Sequence, residues 1–120
     1  MINNKCSLLN KNKGGRFMLK HVNKEEFNEL LKQDKILVVD FFAEWCGPCQ
    51  MLGPVLEALA NEIDNIDVLK IDIDEEQELA IEMGIEVVPT VMIFKNGEKK
   101  NVLQGLRSKS EFIEEINKVM

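Results

Sequence analysis

The run Ile36-Leu37-Val38-Val39-Asp40-Phe41-Phe42 constrains this chain more than any other segment. It is apolar on both parities apart from Asp40, so a strand made of it has no wet face. Such a strand suits a central parallel sheet covered by helices on both sides. The flanking sequence supplies those elements. Leu19–Val22 reads as a short edge strand. Asn23 and Glu26 have capping-box spacing before a helix whose apolar stripe is Phe27, Leu30 and Leu31. A helix from about Gly47 to Glu62 puts Leu52, Val55, Leu56 and Leu59 at helical spacing. Asp67–Asp72 reads as a strand, and Glu75–Met83 as a helix ended by Gly84 at the C′ position. Val91–Lys95, Asn96-Gly97 and Glu98–Leu103 read as a hairpin with a two-residue turn. Ser108 and Glu111 make a second capping box, and Phe112, Ile113, Ile116 and Val119 line the last helix. The order is β-α-β-α-β-α-β-β-α. It predicts an α/β chain with a mixed five-stranded sheet flanked by four helices.

The length of 120 residues fits one domain able to bury its own core. The net charge of -6 is uneven. Residues 1–17 hold Lys5, Lys11, Lys13 and Arg16 and no acid, so residues 18–120 carry 11 basic and 21 acidic side chains. An acidic body argues against a nucleic-acid partner, which needs stripes of Lys and Arg. No apolar run approaches the roughly 20 residues of a membrane span, so no membrane partner is expected. Residues 1–17 show neither period, lack the apolar core of a secretory signal and the Arg and Ser of a transit peptide. They read as a disordered tail, or as a mis-annotated extension of a domain covering 18–120. Lys13-Gly14-Gly15 can be encoded by AAAGGAGG, a purine run like a bacterial ribosome-binding site just upstream of the Met18 codon. Mass spectrometry of the native chain separates these readings. Cys6 is then an annotation artefact, or an exposed spare thiol.

Three cysteines are too few for a disulfide scaffold. Cys46 and Cys49, in Cys46-Gly47-Pro48-Cys49, stand at the C-x-x-C spacing of a redox dithiol beside a βαβ pattern. Structural zinc needs four ligands, and the chain has no second C-x-x-C and a single histidine, His21. A disulfide closing a two-residue loop adds little chain-entropy stabilisation. Cys46 ends a strand-to-helix loop, where unpaired N–H groups and the helix dipole stabilise a thiolate. Pro48 suits the first helical turn. Cys46 attacks a client disulfide, and Cys49, one turn on, attacks Cys46 and frees the reduced client. Cys49 needs help in losing its proton. Asp40, buried in an apolar run, has its proton affinity raised by desolvation and suits that base. The alternative places Asp40 at a solvated edge, or in a structural pair with Lys70.

Val39-Asp40-Phe41-Phe42-Ala43-Glu44-Trp45-Cys46-Gly47-Pro48-Cys49 resembles the active-site signature of the thioredoxin family, and the similarity runs from about Leu19 to Val119. Pro54 matches the family's kink proline. Val68-Leu69-Lys70-Ile71-Asp72-Ile73-Asp74 resembles its third-strand segment, with Lys70 as charge partner near Asp40. Val88-Pro89-Thr90 resembles its cis-proline loop. The resemblance implies a thioredoxin fold, a cis Val88–Pro89 bond packed against the dithiol, and a Val88 backbone that pairs with an extended client strand. Gly105 matches the glycine flanking the client groove, and Asn96-Gly97 the hairpin turn. Gly47-Pro48 between the cysteines looks like the reducing members; a histidine in second position marks oxidases and isomerases. Phe42 stands where the family often has a second Trp, and a packing role is expected of it. Glu86-Val87 and Leu106 depart from the family's usual groove rim and bear on client preference.

The resemblance further implies a monomeric protein-disulfide reductase of the bacterial cytoplasm. It binds no cofactor and works through its redox-active Cys46–Cys49 disulfide. Thioredoxin reductase, an NADPH-dependent flavoprotein, recycles it, and its clients are disulfide proteins such as reductases and peroxidases. Two rival readings are a dedicated reductant for one client enzyme and a redox-silent binding subunit. Trp45 reads as a partly exposed groove residue rather than a core aromatic. His21 reads as a strand-edge residue, and Met51, Met83 and Met92 as core filler. The acid-rich Asp72–Glu78 reads as a solvated face and helix start.

Overall fold

A computed structural model of the chain describes residues 18–120. The expectations for residues 1–17, Cys6 included, lie outside them. The elements are β1 (Met18–His21), α1 (Lys24–Leu30), β2 (Ile36–Phe42), α2 (Gly47–Glu62), β3 (Ile66–Asp72), α3 (Gln77–Glu82), β4 (Thr90–Lys95), β5 (Glu98–Gln104) and α4 (Lys109–Val119). The strands form one sheet of order β1-β3-β2-β4-β5. β1 and β2 flank β3 in parallel, while β4 runs antiparallel to β2 and β5 to β4. The expected mixed sheet is therefore present, with the Ile36–Phe42 run at its centre and every residue of it buried.

The two parities of β2 feed two cores. Ile36 and Val38 join Leu52, Leu56, Leu59, Val68, Phe112 and Ile116 under α2 and α4. Leu37, Val39 and Phe41 join Phe27, Leu79 and Met92 under α1 and α3. Each fully buried Phe or Leu side chain contributes roughly 1.5–3 kcal/mol. Both capping boxes are formed: Asn23 with Glu26, and Ser108 with Glu111. At the hairpin, Asn96 (φ 54°) and Gly97 (φ 82°) are both left-handed, which a two-residue type I′ turn requires. A Cβ on Gly97 would stand 3.0 Å from the Leu31 carbonyl oxygen, a second reason for glycine there.

Several boundaries shift by one or two residues: β3 starts at Ile66, β4 at Thr90, β5 runs to Gln104 and α3 stops at Glu82. β1 starts and ends one residue early, but Val22 is buried and its N–H donates to the Lys70 carbonyl at 3.0 Å. α3 starts at Gln77 rather than Glu75, because the Glu75 and Glu76 amides turn back onto the Asp72 carbonyl at 3.2 and 2.9 Å. The helix ends as expected at Gly84 (φ 71°). There Gly84 N–H reaches the Ile81 carbonyl, and Ile85 N–H that of Ala80, the paired bonds of a glycine C-cap. The expected solvated face over Asp72–Glu78 needs correction at its start. Asp72 is buried, and its carboxylate accepts the Asp74 N–H at 2.8 Å.

Candidate functional site

The end of β2 and the start of α2 present the dithiol. Cys46 is the N-cap of α2, with extended φ/ψ of -94° and 113°, and its Sγ accepts the Cys49 N–H at 3.1 Å. A sulfur thus takes the place that a Ser or Asp oxygen takes at other caps, and it sits where helix amides favour negative charge. Pro48 lies in the first turn, where its missing N–H leaves no bond unmade. Cys46 and Cys49 form a disulfide with Cα atoms 5.2 Å apart, and Cys49 is the more buried. Gly47 and Pro48 are exposed beside it.

The loop before β4 approaches Cys46, and bonds from its neighbours hold it. The Val88–Pro89 bond is cis, and the Val88 carbonyl oxygen lies 3.7 Å from Cys46 Sγ. Thr90 Oγ1 donates to the Val87 carbonyl at 2.7 Å, and Gly105 N–H donates to the Pro89 carbonyl at 2.8 Å. Those bonds tie the proline loop to the ends of β4 and β5. Gly105 has φ 84° with open space around a Cβ, so conformation rather than crowding selects glycine. Trp45 is 70% exposed, and its Nε1–H donates to Asp74 Oδ2 at 2.9 Å, so it is not a core aromatic. Val87 and Leu106, on the segments that flank Pro89 and Gly105, are exposed apolar residues, and Glu86 is exposed as well.

Asp40 is wholly buried on the sheet face beneath α2, and neither carboxylate oxygen has a hydrogen-bond partner among the described residues. Burial pushes its carboxyl up to about 7, against a smaller downward pull from the Lys70 charge. The solvated-edge alternative for Asp40 is thus removed. Lys70 is Asp40's register partner on β3, but no ion pair joins them. Its Nζ stands over the Phe42 ring, 4.8 Å from the centroid. Lys70 is near Asp40 as expected, and acts through space rather than by contact.

Sequence reasoning missed Asp74, because a carboxylate that holds an indole across a loop leaves no periodic signal. Met51 is also corrected: it is 64% exposed, while Met92 is buried and Met83 partly so. Met51 precedes the buried Leu52 on α2 and faces away from the sheet. His21 lies exposed on edge strand β1, as expected. No group of His, Cys, Asp and Glu suited to a metal ion occurs among the described residues.

The Thioredoxin family model matches residues 18–118. A thioredoxin of Rickettsia prowazekii (strain Madrid E) is 45% identical over 103 residues, covering 84% of this chain and 98% of its own. A thioredoxin of Chlamydia trachomatis serovar D is 42% identical over 101 residues, covering 84% and 98%. Among solved structures, a mutant thioredoxin from Halobacterium salinarum NRC-1 superposes with a TM-score of 0.79 at 36% identity, covering 84% of this chain and 89% of that one. Reduced Schistosoma mansoni thioredoxin pre-protein gives 0.78 at 36% identity, covering 86% and 99%.

Proposed function

Because the chain belongs to the thioredoxin family, whose members are protein-disulfide oxidoreductases, we propose that it is a general electron donor to protein disulfides in a bacterial cytoplasm. The observation that carries this reading is the Cys46–Cys49 disulfide at the N-terminus of α2, next to the exposed Trp45, Gly47 and Pro48. Cys46, as thiolate, attacks one sulfur of a client disulfide and displaces the other as a client thiolate. Cys49, as thiolate, then attacks Cys46 Sγ. The mixed disulfide breaks, the Cys46–Cys49 disulfide forms, and the client leaves with its second thiol. Two electrons have passed from the dithiol to the client. An NADPH-dependent thioredoxin reductase returns them.

The proton of Cys49 goes to Asp40, whose raised carboxyl takes and releases protons near neutral pH. Val88, a half-buried residue, offers its backbone edge to an extended client segment, with Trp45, Gly47, Pro48, Pro89 and Gly105 framing it. The pair itself is the redox group, and the chemistry calls for no bound cofactor. Insulin reduction by dithiothreitol tests the activity. Catalysed turbidity, then turnover with NADPH and a reductase, supports the proposal, and no rate above background overturns it. A Cys49→Ser trap in lysate reads client range: many mixed disulfides support a general donor, and one dominant client contradicts it.

A further inference from the structure

His21 on β1, Lys70 on β3 and Asp40 on β2 occupy one register row across the sheet. Phe42, two residues beyond Asp40 on β2, shares its face. The Lys70 ammonium therefore has two destinations within reach of one strand neighbour: the carboxylate beside it or the ring further along. It takes the ring, at 4.8 Å from the centroid, and neither Asp40 oxygen has a hydrogen-bond partner among the described residues. The ring is well placed to hold it. Phe42 is 6% exposed, and His21 packs edge-on against it, ring centroids 5.4 Å apart and planes at 71°. A cation over an aromatic face is attracted by the ring quadrupole, more strongly where water is partly excluded.

We propose that Phe42 is a positioning residue: its ring holds the Lys70 ammonium and so keeps that cation from closing an ion pair with Asp40. Asp40 then feels the Lys70 charge at a distance and stays a carboxyl able to trade a proton near neutrality. An ammonium within hydrogen-bond reach would hold it ionised and poor as a base. The other titratable groups at this place are few. His21 faces it from β1, while Lys20 of β1 and Glu57 of α2 line the shallow groove shared by His21 and Lys70. Cys46 and Cys49 of α2 pack with Phe42 itself. The side chain facing from β4 is the apolar Val91. The inference rests on the reading of Asp40 as proton acceptor only for its consequence in turnover; the placement of Lys70 is tested without it.

The test is a carbon-13 NMR titration of the Asp40 carboxyl in the full chain, oxidised, in four forms: unchanged, Phe42→Leu, Lys70→Met, and both together. With the ring gone, Lys70 closes on Asp40, and the midpoint falls by about one unit or more. In the Lys70→Met background, Phe42→Leu is expected to leave the midpoint where Lys70→Met alone puts it, which separates the cation from lost packing. Phe42→Trp keeps an aromatic face and should restore the unchanged midpoint. An unmoved midpoint in Phe42→Leu, or an equal fall with and without Lys70, overturns the proposal. If the midpoint falls but the pH dependence of turnover stays put, the positioning stands and the role of Asp40 as base falls.

Discussion

Asp40 and Asp67 lie on neighbouring strands, both buried, both with carboxyls pushed up by desolvation. They differ in what faces them. At the start of β3, Asp67 meets the Lys35 ammonium at 3.2 Å, which partly offsets the burial. Toward the end of β2, beneath the helix that carries the dithiol, Asp40 has no hydrogen-bond partner among the described residues. A buried carboxylate without a partner costs stability. One end of the sheet compensates that cost with an ion pair, and the reactive end leaves it standing. The contrast separates an acid paired with a cation from the acid proposed above as the proton acceptor.

The largest expected effect is on stability at Asp40. Folded, the group holds its proton up to about pH 7, against an ordinary value of 3.8. Between those values the folded state binds more protons than the unfolded state, so stability falls as pH rises. The full penalty is present above pH 7 and absent below the ordinary value. Asp40→Asn is therefore expected to stabilise the protein at pH 8 by about 2–4 kcal/mol, allowing for the buried amide. At pH 3.5 the gain disappears. Urea unfolding at both pH values checks this, and an equal effect at both would remove the distinction between the two acids.

Lys35→Met should have a smaller effect of opposite sign. It strands Asp67 without its cation and is expected to destabilise the fold by about 1–3 kcal/mol at pH 7. Insulin reduction below the melting range should not change. A large loss of activity without unfolding would mean that the start of β3 communicates with the dithiol. Asp67→Asn should be the mildest change, within about 1 kcal/mol in stability, since acid and desolvation leave together. The pH profile of turnover should overlay that of the unchanged protein.

Much of this was legible in the chain itself. The doubly apolar β2 run, two capping boxes, Asn96-Gly97 and Gly84 are local signals, each set by neighbours within a few residues. They placed the sheet and the helices around Cys46 and Cys49. What escaped depends on contacts between distant segments. The acids Asp72–Glu78 look alike in sequence, yet Asp72 is buried, Glu76 accepts the Lys24 N–H, and Asp74 holds Trp45. Only the turn-back of Glu75 and Glu76 onto the Asp72 carbonyl fixes where α3 starts. Met51 misled because methionine suits a core, while its place on α2 next to Leu52 turns it outward. Likewise, Lys70 opposite Asp40 suggests an ion pair, and nothing in the order of residues says that the Phe42 ring takes the ammonium instead.

The central claim is that the unpartnered carboxyl of Asp40 takes the proton of Cys49. It is tested by preparing Cys46 as a mixed disulfide with a small thiol and following release of that thiol by stopped flow from pH 5 to 10. The unchanged protein should show an inflection near pH 7, where Asp40 ionises. Asp40→Asn should lose that inflection and run about 100-fold slower at pH 7, the lower range for a positioned base. Superimposable profiles for the two proteins would contradict the account.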